Sequence, residues 1–167
     1  MRDYDQVSKV PLFAVLSGEP NAAALVTGSV KYPSIFGIVR FYQTDSGVIV
    51  YAEILGLPVS DTGADRVFGF HIHEGNVCTG DGNDPFLAAG SHYNPYAVLH
   101  PEHAGDLPPL FGSRDGFALL LFFTDRFRVD EIIGRTIIIH GSPDDFTTQP
   151  SGNAGEKIAC GIIRSRL

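Results

Sequence analysis

The residues able to do chemistry in this sequence are its six histidines, none of which lies in the first 70 positions. They stand as His71-x-His73, then His92, then His100-x-x-His103-x-x-Asp106, then His140. Imidazole is a borderline ligand suited to copper and zinc, and a carboxylate commonly completes a zinc site. Taken singly, each group has an ordinary reading: a polar stripe on a strand, two surface loop residues, a hydrogen-bonded strand end. Taken together, six imidazoles plus Asp106 make seven donor groups, the number that two four-coordinate ions require when one ring serves both. His92, central in the series, is the candidate for that shared ring, with both nitrogens on metal and its proton lost to the combined charge.

The elements that must position these groups read as strands. Residues 68–74 (FGFHIHE) alternate, so a period-2 strand puts His71 and His73 on one face and Phe68, Phe70 and Ile72 on the other. Residues 136–140 (TIIIH) end a second strand on His140, and 117–124 and 157–163 supply two more. Residues 37–44 and 48–57 are β-branched and aromatic-rich, and Asp45-Ser46-Gly47 between them suits a hairpin turn. The short apolar run 11–17 (PLFAVLS), ending in Gly18 and Pro20, is expected to be a buried strand, whereas 21–34 carries only a weak pattern. Between 75 and 114 runs a Gly- and Pro-rich tract without regular periodicity, and a loop of such length inside a compact domain is usually functional. Seven or eight short strands with long late loops imply an all-β antiparallel barrel or sandwich.

Composition sets the outer bounds. The chain of 167 residues is 44% hydrophobic and 19% charged, which fits a single domain over 1–167 that folds without staples. With 19 Gly and 11 Pro, few windows are long enough for helices. Twelve Lys plus Arg against nineteen Asp plus Glu leave a net charge of -7, which provides no basic stripe for nucleic acid. No apolar run could span a bilayer and no secretion signal is visible, so the expectation is no membrane partner and a cytoplasmic location, or a periplasmic or secreted one if a leader was removed. The two cysteines, Cys78 and Cys160, admit two readings: one bridge, or two buried thiols.

The motifs GFHIHEGNVCTG (69–80), AAGSHYNP (88–95), HAGDLPPL (103–110), GRTIIIH (134–140) and SGNAGEKIACGII (151–163) together resemble the copper/zinc superoxide dismutases, in particular the bacterial members. The likeness is ordered and runs from about residue 37 to 163, with 11–17 expected as a first strand. It implies an eight-stranded antiparallel Greek-key β-barrel with long metal-binding and active-site loops. It implies copper on His71, His73, His92 and His140, and zinc on His92, His100, His103 and Asp106. Asp144 matches the carboxylate that joins a copper His to a zinc His, and Cys78 and Cys160 match the intrachain disulfide. The activity implied is conversion of two superoxide anions to dioxygen and hydrogen peroxide by Cu(II)/Cu(I) cycling beside a structural zinc, with His92 as proton donor and Lys157 as the cation that draws the substrate in. A homodimer is a further implication.

Three features depart from the family pattern. Lys157 stands where the family usually has Arg, and an ammonium lacks the bidentate fork of guanidinium. Only Pro101 and Glu102 separate His100 from His103, so the zinc subloop must be tight. The loop 141–156 has no Lys or Arg, which leaves attraction of an anion to Lys157 and the metal. The competing reading is a non-catalytic copper/zinc store or delivery protein on the same barrel. An accessible copper requires a narrow pocket flanked by Lys157 and the 141–156 loop.

Overall fold

The computed structural model describes residues 12–60, 62 and 65–165. Its strands are β1 (Ala22–Gly28), β2 (Phe36–Gln43), β3 (Val48–Leu55), β4 (Val67–Phe68), β5 (Phe70–His73), β6 (Leu110–Phe111), β7 (Ala118–Thr124), β8 (Thr136–His140) and β9 (Lys157–Ile162). One sheet takes seven of them in the order β5-β8-β9-β1-β2-β3-β7, and β4 pairs with β6. Every pairing is antiparallel. β4 and β5 are interrupted only at Gly69, and β6 packs against β7, so the seven-stranded sheet curls round and the two ends meet. With β4 and β5 counted as one strand, the nine segments are the eight strands of a Greek-key barrel.

The β2–β3 hairpin forms as its sequence predicts, with Gln43 opposite Val48 and the Thr44 amide donating to the Gly47 carbonyl at 2.8 Å. Over 12–17 the expected buried strand does not form. Leu12–Leu16 is a short helix, α1, with no buried residue, and Pro11 lies outside the described residues. A five-residue apolar run cannot be told from a helical turn by periodicity, and here Ser17 closes the turn by donating from its hydroxyl to the Phe13 carbonyl at 2.8 Å. The first strand is β1 instead, inside the segment of weak pattern. Its Ala22, Ala23 and Ala24 are buried, but alanine has little strand preference and announces no strand.

Alternation along β5 and β8 is what separates core from site. Phe70, Ile72, Ile137 and Ile139 point into the main core with Val39, Phe41 and other apolar side chains. His71 lies opposite Ile138 and His73 opposite Thr136, so these residues share the other face of the same wall. That face is not solvated. Loops cover it, and His71, His73 and His140 are all buried. Among the described residues no helix is long and apolar enough to cross a membrane.

Candidate metal centre

β5 is the end strand of the seven-stranded sheet, and the long tract after it returns to complete its edge. The Tyr93 amide donates to the Ile72 carbonyl at 2.8 Å, and the Ile72 amide donates to the Gly105 carbonyl at 2.9 Å. This pairing sets His92 opposite His73 and Asp106 opposite His71. It depends on glycine at 105, where a Cβ would lie 2.3 Å from the Ile72 carbonyl oxygen. β8 then brings His140 from the neighbouring strand. The ring centroid of His92 stands 4.0 Å from that of His71, 4.9 Å from that of His73, 5.6 Å from that of His103 and 5.7 Å from that of His100.

Two groups of donors result. His71, His73, His92 and His140 form one, and His92, His100, His103 and Asp106 the other; within each, the donor atoms lie within 4.8 Å of one another. His92 belongs to both. All seven residues are buried.

The second nitrogen of each ring decides what the first can do. His73 Nδ1–H donates to the Gly90 carbonyl at 2.9 Å and His140 Nδ1–H to the Gly155 carbonyl at 3.2 Å, because a carbonyl can only accept. Their Nε2 atoms therefore carry lone pairs, yet they face each other at 3.3 Å. His71 Nε2–H donates to Asp144 Oδ2 at 2.7 Å and His100 Nε2–H to Asp144 Oδ1 at 2.9 Å, which leaves both Nδ1 lone pairs without a hydrogen-bond partner. His100 Nδ1 nevertheless lies 3.0 Å from Asp106 Oδ2, and His103 Nδ1 lies 3.2 Å from the same oxygen. His92 Nδ1 meets Asp106 Oδ1 at 2.7 Å while its buried Nε2 has no partner. Converging, buried, unpartnered lone pairs are repulsive as they stand and costly to leave unmatched. Two cations resolve the arrangement, so the residues present fit copper and zinc.

Electrostatics point the same way. Burial, ahead of every other influence, holds His71 and His73 below the ordinary imidazole value and His140 down at about 3, so these rings are neutral and their lone pairs free for a metal. Burial alone would raise Asp106 and Asp144. Asp106 is nonetheless lowered, chiefly by its hydrogen bond from His92, and Asp144 falls to about 2 through hydrogen bonds from His71, the Phe146 amide and His100.

All these folded-state values lie below the unfolded ones, so the unfolded chain binds more protons and acid favours it. The metal-stripped protein therefore loses stability from about pH 6.5 downward through the histidines, and again from about pH 4 to 2 through the carboxylates, at up to about 1.4 kcal/mol per pH unit for each group. Urea unfolding of chelator-treated protein at pH 7.5 and pH 5 checks this: the midpoint drops at pH 5, and an equal or higher midpoint there contradicts it.

Several supports carry no signal in the sequence. Arg126 Nη1 donates to the Pro101 carbonyl at 2.8 Å and to the His103 carbonyl at 3.4 Å, stapling the tight turn between His100 and His103. Gln149 brackets the His100 backbone: its Oε1 accepts from the His100 amide at 3.1 Å and its Nε2 donates to the His100 carbonyl at 2.7 Å. At 152 only glycine fits, since a Cβ would come within 2.0 Å of Asp144 Oδ1. Cys78 and Cys160 form a disulfide, which resolves the choice between a bridge and free thiols.

The site opens to solvent on one side. A cavity of about 450 Å³ is lined by His73, His92, His140, Pro150, Gly155 and Lys157 among others. Lys157 arrives there because it pairs with His140 across β8 and β9, at a register shift. Its ammonium is already engaged, in an ion pair with Asp84 Oδ2.

A family model described as copper/zinc superoxide dismutase matches residues 35–163. The chain belongs to the copper/zinc superoxide dismutase family. It is 34% identical over 144 residues to superoxide dismutase (Cu-Zn) 2 of Aquifex aeolicus, covering 78% of this chain and 80% of that one. The corresponding enzyme of Deinococcus radiodurans is 32% identical over 149 residues, covering 78% of each chain. That of Schizosaccharomyces pombe is 36% identical over 160 residues, covering 85% of this chain and 96% of the other. The activity is superoxide dismutation, an oxidoreductase reaction with superoxide as substrate and copper and zinc as cofactors.

Proposed function

We propose that this superoxide dismutase holds copper on His71, His73, His92 and His140 and zinc on His92, His100, His103 and Asp106, as one domain over 1–167. The observation that carries the assignment is the membership of His92 in both donor groups, with Nδ1 2.7 Å from Asp106 and Nε2 buried without a partner; on this proposal Nε2 is the atom that serves copper. Copper, when bound, supplies the one-electron chemistry, and zinc adds charge without redox change. The protein's own part is to orient and to move protons. Asp144 fixes His71 and His100 through one carboxylate, so neither ring can turn without the other. His92 Nε2 takes up a proton in one half of the cycle and gives it up in the other, supplying one of the two protons that turn the second superoxide into hydrogen peroxide. Lys157 attracts the anion into the cavity, against a net charge of -7 that repels it.

The same net charge, with no basic stripe, argues against nucleic acid as a partner. The disulfide supports a periplasmic or secreted location over the cytoplasm. For the homodimer, Leu119, Leu121 and Phe123 offer an exposed apolar row on β7. The open cavity beside the copper-type histidines favours an enzyme over a store, which has no need to admit an anion. Metal analysis with a superoxide assay tests the proposal: one copper and one zinc per chain, and removal of superoxide by loaded protein far faster than in buffer. A single ion per chain, or loaded protein no faster than buffer, overturns it.

A further inference from the structure

Asp84 lies in the loop that the Cys78–Cys160 disulfide ties to β9, and its carboxylate is placed by that loop's own backbone. Oδ1 accepts from the Phe86 amide at 3.0 Å. The Asp84 amide donates to Asp81 Oδ1 at 2.9 Å, and the Asp84 carbonyl accepts from the Asp81 amide at 2.9 Å. Lys157 does not create this arrangement; it reaches into it, pairing with Oδ2. The lysine side chain is 15% exposed and the aspartate side chain 30%, so the pair is partly shielded from water. Lys157 lines the cavity with His73, His92 and His140, while Asp84 is not among the residues that line it.

A lone ammonium presents a monopole field to an approaching anion, whereas an ammonium beside a carboxylate presents a dipole, whose field falls off faster with distance. The loop 141–156 contains no Lys or Arg to compensate. We infer that Asp84 sets the anion affinity of the copper pocket by sharing Lys157, so that an incoming anion competes with Asp84 for the ammonium. Asp84 touches neither substrate nor metal in this scheme. It acts through Lys157, and the inference rests on the reading of Lys157 as the anion-attracting group.

The test uses the copper- and zinc-loaded protein and azide, a small anion that binds copper(II) and changes its absorption. Asp84→Asn keeps the oxygen that accepts from the Phe86 amide and removes the charge. It tightens azide binding about three- to tenfold and steepens its dependence on salt, with metal content and melting temperature unchanged. Lys157→Met weakens azide binding, and in that background Asp84→Asn brings no gain. Unchanged or weaker azide binding in Asp84→Asn, with Lys157→Met still weakening it, overturns the role of Asp84 alone. A gain that persists in the Lys157→Met background also overturns it, since the carboxylate would then act on the pocket directly. Azide binding indifferent to Lys157→Met removes the lysine reading and the inference with it.

Discussion

Replacing His92 with alanine reduces superoxide removal to the level of buffer and severs the two metals from each other. His92 belongs to both donor groups; its Nδ1 lies 2.7 Å from Asp106, and its Nε2 is buried without a partner. No neighbouring side chain can replace it, because His71, His73 and His140 have their other nitrogens committed to Asp144, Gly90 and Gly155. On the proposed ligand set, loss of His92 removes one donor from each ion, a larger cost than the roughly 10- to 100-fold in affinity that follows loss of an outer hydrogen-bond partner. It also removes the proton carried at Nε2. The fold survives, since the segment around His92 is held by backbone bonds, Tyr93 to Ile72 at 2.8 Å and Glu74 to Ser91 at 2.9 Å. Three measurements follow: the superoxide assay, zinc affinity, and the copper absorption spectrum before and after zinc removal. Zinc removal shifts the spectrum in the natural protein and not in His92→Ala. Retained activity in the variant, or a natural protein whose copper spectrum ignores zinc, shows that no ligand is shared.

The donors themselves were legible because metal chemistry restricts them to few residue types, and six histidines confined to 71–140 are conspicuous. Period-2 alternation in 68–74 also gave the shared face of His71 and His73 directly. Of the groups that orient the rings, Asp144 is reached through the family resemblance, and the others are not legible. Gly90 and Gly155 act through their carbonyls, which every residue possesses, and Arg126 reaches the His100–His103 turn from 23 to 25 positions away. The pairing of Lys157 with Asp84 spans 73 positions and joins two segments that only the fold brings together.

Fold legibility divided along similar lines. β2, β3, β5, β7 and β8 are rich in β-branched and aromatic residues, and their sequences show it, while β9 is an apolar run with two isoleucines. β1 begins with three buried alanines, where burial is dictated by close neighbours rather than by side-chain preference. β6 has two residues and a second helix, α2 (Val129–Ile132), has four, each too short for any periodic signal. Residues 12–16 had the opposite fault: an apolar run without a buried destination, which the sequence alone does not distinguish from a core strand.

Removing the disulfide through Cys78→Ala and Cys160→Ala costs the metal-stripped protein about 4.5 kcal/mol, the loop-closure entropy returned to the unfolded chain for a separation of 82 residues. That is comparable to the whole stability of many domains, and it lowers the melting temperature by about 10 °C or more. Alanine is the appropriate replacement because Cys160 is buried, and serine would add an unmatched hydroxyl. The cost is also local. Cys160 packs with Phe86, Ala89 and Ile138 under the disulfide loop, and that loop carries Asp84, which holds Lys157, and leads into Gly90, which orients His73. Copper affinity therefore falls together with stability, while zinc affinity, which depends on Asp144, Gln149 and Arg126 from elsewhere in the chain, falls less. Urea unfolding of oxidised and alanine-substituted protein measures the first effect, and competitive chelator titration with each metal measures the second. A stability loss below about 1 kcal/mol would mean that the unfolded chain gains little freedom from opening the loop. Equal losses for both metals would mean that the bridge supports the barrel as a whole, with no preference for the loop that carries Asp84 and Gly90.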